Sequence, residues 1–533
     1  MHAILPCMNL YLNYFIMKTK LILPLVAVAV VAVAVAAFVF TGTSKHLTVI
    51  PDNPACLIKV DAGNLIDDSD ILNNTYVKNM SQVVTTQLPE MYKELLEDVM
   101  ANPNMSGIDF DEPVVFAVIN NHRFMVTAAI ENATKLKENL DLFAIAGVKT
   151  TEIDGITFIE TREDECCIAF DNDMMILLAD NDEATKMDLM QYFNYEGPRA
   201  VDNAKYDTFF DEDDDFAMLY DVNGIMEVVE DMRIMRFDDS MMAMYSEMLK
   251  DICFQVDLNF EKGEVAAEFE IIGTNEYMDI FKEFWKESSK KHLKYIPGDA
   301  IVVSANAMNL EGISRLVPSG VDMDGLLSAV GIDSSVFQSL SGDFTIAVLP
   351  IDVTSKRKEP QFFAAIDCSD RRIFDLIISE LGAGFTNVGN DVYALHTNKR
   401  SDYSYYNGYT TYDDGYDHYL MYKDNTIFVM PENLYSTLKS GDGISAHANN
   451  FADNRLVAKI TNGAVVDFSN LQSALVASDE LSSEESAVFN LLDYAVFDME
   501  SVGKGRLQLN LKNDSENFLK QVVDASVSFI PSF

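Results

Sequence analysis

The order of apolar segments in the first half of the chain recurs in the second about 250 residues later, so one fold must accommodate the same pattern twice. Ile50-Pro51-Asp52 precedes the strand-like Cys56-Leu57-Ile58-Lys59-Val60, and Ile296-Pro297-Gly298-Asp299 precedes Ala300-Ile301-Val302-Val303. Residues 113–118 answer 344–348, and 124–130 answer 361–366. An amphipathic helical pattern follows each, at 135–144 and 372–381. Hairpins are expected around Asp171-Asn172-Asp173 and Lys423-Asp424-Asn425, because short Asx-rich turns favour them. A further hairpin in each half turns at Glu261-Lys262-Gly263 and at Gly503-Lys504-Gly505. Each is followed by a closing helix, at 275–285 and 516–525. The strands come as sequential hairpins and meanders rather than βαβ units. The expected class is therefore α+β: two tandem duplicated domains, 45–294 and 295–533, each a mostly antiparallel sheet with interspersed helices. What matches between the halves is apolar pattern and turn residues, with no polar constellation repeated.

Composition bears on the surroundings of such a protein. The chain has 84 Asp+Glu against 39 Lys+Arg, a formal net charge of −45, while 48% of residues are hydrophobic. That apolar content is too high for a disordered acidic tail. The charge excludes nucleic acid and anionic lipid surfaces as partners. Residues 21–40 form an uncharged run preceded by Lys18 and Lys20, and no acidic residue occurs in the first 50 positions. Residues 1–20 read as a cytoplasmic n-region and 21–41 as a signal or an N-terminal transmembrane helix, which would be the membrane contact. The expected location is the cell envelope, anchored in the inner membrane with a periplasmic ectodomain, or secreted if the signal is cleaved. Beyond this run the cysteines are Cys56, Cys166, Cys167, Cys253 and Cys368, an odd set without framework spacing. They read as small buried hydrophobes.

Two segments carry candidate sites. Asp211, Asp213 and Asp215 alternate in an acidic turn and could offer oxygen ligands to calcium, although no turn glycine or distal Glu completes a loop site. The segment 401–419 is tyrosine-rich: Tyr403, Tyr405, Tyr406, Tyr409, Tyr412 and Tyr416 lie among Gly, Asn and Ser. Amphipathic rings in such a loop suit protein contact or stacking on sugar rings. No zinc-ligand cluster, phosphate-binding glycine loop, dinucleotide fingerprint or nucleophile elbow is present. Carboxylates are so numerous that a hydrolytic acid pair has no specific spacing signal. Residues 226–248 are rich in methionine and read as core packing.

Ile50-Pro51 with Ala55, and Ile296-Pro297 with Ala300, together with the apolar N-terminal run, resemble an uncharacterised family of Bacteroidales-type envelope proteins built on a domain of unknown function. The resemblance covers about residues 47–530 and implies export, but supplies no catalytic residue. The reading that follows is a non-enzymatic ectodomain that binds an envelope protein or glycan, or acts as a scaffold. The alternative is an exported hydrolase using an Asp/Glu pair.

Overall fold

The structure, a computed structural model, describes residues 44–528 apart from several internal segments, the longest being 80–89, 225–248, 311–338, 351–360 and 396–417. The first half contributes β1 (Cys56–Val60), β2 (Val114–Ile119), β3 (Arg123–Ala129), β4 (Lys149–Ile153) and β5 (Ile156–Glu160). It continues through β6 (Cys166–Phe170), β7 (Met174–Ala179), β8 (Phe216–Asp221), β9 (Cys253–Glu261) and β10 (Glu264–Ile272). A short β11 (Trp285–Lys286) leads to β12 (Val302–Met308), β13 (Gly342–Leu349), β14 (Gln361–Asp367), β15 (Phe385–Gly389) and β16 (Val392–Leu395). Next come β17 (His418–Lys423), β18 (Thr426–Pro431) and a separate ribbon of β19 (Lys439–Ser440) with β20 (Gly443–Ile444). The last strands are β21 (Gly463–Asp467), β22 (Leu492–Ser501) and β23 (Lys504–Leu511).

All pairings among the described strands are antiparallel. The first ten strands lie in the order β4-β5-β6-β7-β3-β2-β1-β8-β9-β10. The later ones lie in the order β15-β16-β17-β18-β14-β13-β12-β21-β22-β23. The hairpins expected around residues 171–173, 261–263, 423–425 and 503–505 form as pairs β6/β7, β9/β10, β17/β18 and β22/β23.

Two expectations are corrected here. The chain does not divide into two domains with separate sheets: the described strands join one 21-stranded sheet, closed across the middle by β10 and β23. Their register runs from Glu264↔Asn510 to Glu270↔Lys504. The physical reason is edge satisfaction. The last strand of each half would otherwise leave a row of backbone N–H and C=O groups unpaired, and each edge supplies what the other lacks. The N-terminal transmembrane helix is likewise not found. Among the described residues no helix is long and apolar enough to cross a membrane, and residues 21–40 lie outside them.

The alternation of each strand sorts side chains onto two faces. We call inner the face that carries both large cores. In the first half it buries Leu57, Met125, Phe158, Ile176, Tyr206 and Phe209 among others. In the second it buries Val303, Phe363, Phe428, Phe451 and Val496. The outer face is covered toward the two ends. The helices Ala62–Ser69 and Ala133–Leu142 lend Ala62, Ile66 and Leu136 to a cluster with Ala128 and Met175. The helix Arg371–Leu381 sets Ile373 and Phe374 against Leu420 and Ile427.

Candidate functional site

At the centre of the sheet the inner face turns from apolar to polar, while the outer face stays apolar. On β9, Cys253, Gln255, Asp257 and Asn259 point inward, while Phe254, Val256, Leu258 and Phe260 point outward. On β10 the inward positions are Glu264, Ala266, Glu268 and Glu270, and on β23 they include Arg506, Gln508 and Asn510. A polar belt therefore runs along the inner face between the two apolar cores.

The belt is bonded into a network with gaps. The Gln255 side chain donates from Nε2 to both carboxylate oxygens of Asp257 at 2.9 Å. Gln508 donates to Glu264 and, at 3.1 Å, to Asn510 Oδ1. Arg506 closes the row with an ion pair to Glu264 at 2.8 Å. Ala266, itself buried, lies between Asn259 and Gln508 in the same row. Gln255 is only 1% exposed, yet its Oε1 has no hydrogen-bond partner, and neither does buried Asn510 Nδ2. Burying such an atom without a partner costs about 1–3 kcal/mol, so a ligand that satisfied it would gain by the same physics. The rim is open: the side chains of Glu268 and Arg506 are half-exposed.

The belt continues to a buried ion pair on the first-half side. Lys59 on β1 shares a row with Ala217 on β8 and Asp257 on β9. Its ammonium lies 3.8 Å from Asp214 Oδ2, with the two side chains 5% and 7% exposed. The same nitrogen sits 5.7 Å from the centre of the Phe209 ring, a cation–π distance. Asp214 also accepts from Asn259 Nδ2 at 2.9 Å. Its neighbour Asp215 is also buried and accepts the Phe260 amide at 2.6 Å.

Asp215 is an unusual carboxylate. Burial pushes it up to about 6, the Phe260 amide offsets part of that, and Asp68, Asp61 and Asp214 add repulsion. Asp61 and Asp68 are also raised, in each case chiefly by burial. A carboxyl whose folded pKa exceeds its unfolded value near 3.9 binds protons more readily when folded. Its penalty is therefore full above pH 6 and is relieved as the pH falls from about 6 toward 4. We expect stability to rise over that window. Asp215→Asn, which keeps an oxygen for the Phe260 amide, should raise stability at pH 7 and flatten the rise without abolishing it. Urea midpoints at pH 7, 5 and 4 check this, and an unchanged slope in the variant would contradict it.

A second network ties the connection between the halves to the second core. Asp343 accepts from Ser288 Oγ at 2.9 Å and from the Ser289 amide at 2.7 Å. Asp367 accepts from Lys291 at 2.7 Å, from His292 Nε2 at 3.1 Å and from the Asp343 amide at 2.9 Å. Burial works against the Asp367 anion, but the bonds from His292, Lys291 and the Asp343 amide overcome it and hold the carboxyl well below the usual range. His292 is buried edge-on to Phe428, and Ser289 Oγ bonds Asp343 rather than the imidazole. The group is therefore a structural clamp without the Ser–His geometry of a nucleophile.

The residues singled out in the sequence fare unequally. Asp211 and Asp213 are exposed while Asp215 is buried. Among the described residues no cluster of three His, Cys, Asp or Glu side chains is placed to hold a metal ion. Tyr403, Tyr405, Tyr406, Tyr409, Tyr412 and Tyr416 lie outside the described residues. The belt was not singled out. Its signal was the alternation Cys-Phe-Gln-Val-Asp-Leu-Asn-Phe over 253–260, amphipathic with amides and a carboxylate on the wet side.

Comparison with known proteins adds a family and little more. A family described as a domain of unknown function, DUF4836, matches residues 47–429. No curated protein matches. Two crystal forms of TP0453, form III and form I, are similar at a TM-score of 0.26 and 10% identity. The match covers 45% of this chain in both cases, and 86% and 85% of those chains respectively. A likeness that weak supports no argument about this protein.

Proposed function

The chain belongs to the DUF4836 family, and from that premise we propose that it is a non-enzymatic binding protein whose inner polar belt takes a neutral, hydroxyl-rich ligand of the glycan class. The observation that carries this reading is the pair of buried amide atoms without partners, Gln255 Oε1 and Asn510 Nδ2, on the floor of the belt. Amides, a carboxylate and an Arg–Glu pair offer donors and acceptors side by side, which is what a ligand of alternating hydroxyls uses. The net charge of −45 works against sulfated or sialylated ligands. The same reading sets the protein outside the cytoplasm, in the cell envelope, on the strength of the uncharged run at 21–40 behind Lys18 and Lys20.

A glycan array bearing neutral, sialylated and sulfated oligosaccharides, probed with the labelled full chain, tests the ligand class. Retention on neutral oligosaccharides is expected, with at least a tenfold loss in Gln255→Leu and in Asn510→Leu. A blank array, or retention that both variants leave unchanged, would overturn the reading.

A further inference from the structure

The outer face at the middle of the sheet is as apolar as the belt beneath it is polar. Within their paired registers, the outward positions of β8, β9, β10, β23, β21, β12 and β13 carry no Asp, Glu, Lys or Arg. Those of β22 are Ala495, Phe497 and Met499. Charged residues make up 23% of the chain, so their complete exclusion from adjoining strands is a property of this surface rather than of composition. The helix Phe518–Ser528 packs against the helix Ala62–Ser69 and against β9, where Phe518 meets Phe260, and the helices Phe468–Ala477 and Ser483–Phe489 pack against β22.

Between these covers, large apolar side chains face solvent. Leu507 is 50% exposed, Phe497 41% and Ile346 47%. Phe497 and Leu507 are direct cross-strand partners, and Ile346 lies in the same row beyond Ala464 and Ser304. The Phe269 and Phe497 rings stack at 5.7 Å across β23. They can do so because β23 has Gly505 at that point: a Cβ there would come within 2.4 Å of Phe269 Cζ. The face is thus smoothed as well as uncharged. Contiguous apolar surface of this kind marks a contact site rather than scattered exposure.

We propose that this face rests on the hydrocarbon of a neutral lipid bilayer. Charge decides between occupants. A basic protein partner would need carboxylates on the face, and it has none. Stacking of a second copy would bring two bodies of net charge −45 together. Acyl chains need no counter-charge, and burial stabilises the contact by about 25 cal/mol per Å² of apolar surface covered. The same net charge makes the contact selective, because anionic headgroups repel the acidic protein.

The chain has a single tryptophan, Trp285, which makes a site-specific test possible. In a Trp285→Phe background, F497W places the sole fluorophore on the face. Phosphatidylcholine vesicles with brominated acyl chains are expected to quench its emission at least twofold. Quenching should fall severalfold when L507E is added and when half the lipid is phosphatidylserine. Circular dichroism of each variant confirms folding, which substitutions at half-exposed positions should preserve. Absence of quenching would overturn the proposal. So would quenching that L507E leaves unchanged, or a lipid-independent blue shift that grows with protein concentration, which would identify a second copy as the occupant.

Discussion

Asp367→Ala is expected to lower the unfolding free energy by about 3–5 kcal/mol, because removing one partner of a buried ionic group leaves the others uncompensated. His292, 3% exposed at its side chain, would lose the acceptor of its Nε2, and the Asp343 amide would lose a 2.9 Å bond. Lys291 would be left facing Asp343 alone, at 3.8 Å. The loss is not local. Ser288, Ser289, Lys291 and His292 belong to the connection between the halves, and Asp343 and Asp367 fasten it to β13 and β14. Because the Asp367 carboxyl is held low, its contribution is complete above the unfolded value near 3.9 and fades only as the pH falls below it. The cost of Asp367→Ala should therefore be the same at pH 7 and pH 5 and smaller at pH 3. Urea unfolding at the three values measures it, and a cost under 1 kcal/mol at pH 7 would remove the clamp from the account.

The second large effect is conditional. Lys59→Met should cost about 3–5 kcal/mol, since Asp214 would remain buried without its cation. Asp214→Leu should cost a similar amount. The double variant should recover most of the loss, because replacing a whole buried pair by apolar groups of similar volume is close to neutral. Leu57, Ala217 and Phe209 nearby offer the replacement an apolar side, while Asn259 Nδ2 loses its acceptor and keeps the recovery from being complete. Additive costs in the double variant would show that the two groups act independently and that the 3.8 Å approach has no energetic meaning.

Much of the fold was legible along the chain. The Asx-rich and glycine turns at 171–173, 261–263, 423–425 and 503–505 mark hairpins for local reasons, because few residues tolerate the backbone that such turns need. Asp424 and Asn425 indeed sit at φ of 51° and 59°. The closing helices at 276–284 and 518–528 were also visible, as amphipathic periods after the last hairpin of each half. The candidate site was only partly legible. Alternation over 253–260 shows that Gln255, Asp257 and Asn259 share a face, but not whether that face is wet, buried or both. The acidic turn drew attention to Asp211, Asp213 and Asp215 as equals. The fold separates them by burying Asp215 against the Phe260 amide, a partner 45 residues away, while Asp211 and Asp213 stay exposed.

What the sequence determined by itself is the set of elements and the acidity of the whole: strands by alternation, hairpins by turn chemistry, net charge by count. Three things were settled only by tertiary structure. It joined β10 to β23, making one sheet where two were expected. It set a polar belt inward at that seam, where the flanking strands turn apolar cores to the same face, and kept the outer face apolar. It also brought Lys59 to Asp214 and His292 to Asp367. The reason is common to all three. Alternation and turn preference are local and act within a few residues, whereas edge pairing, face covering and charge pairing depend on groups far apart in the chain. Their positions follow only when the backbone groups of every strand have found partners.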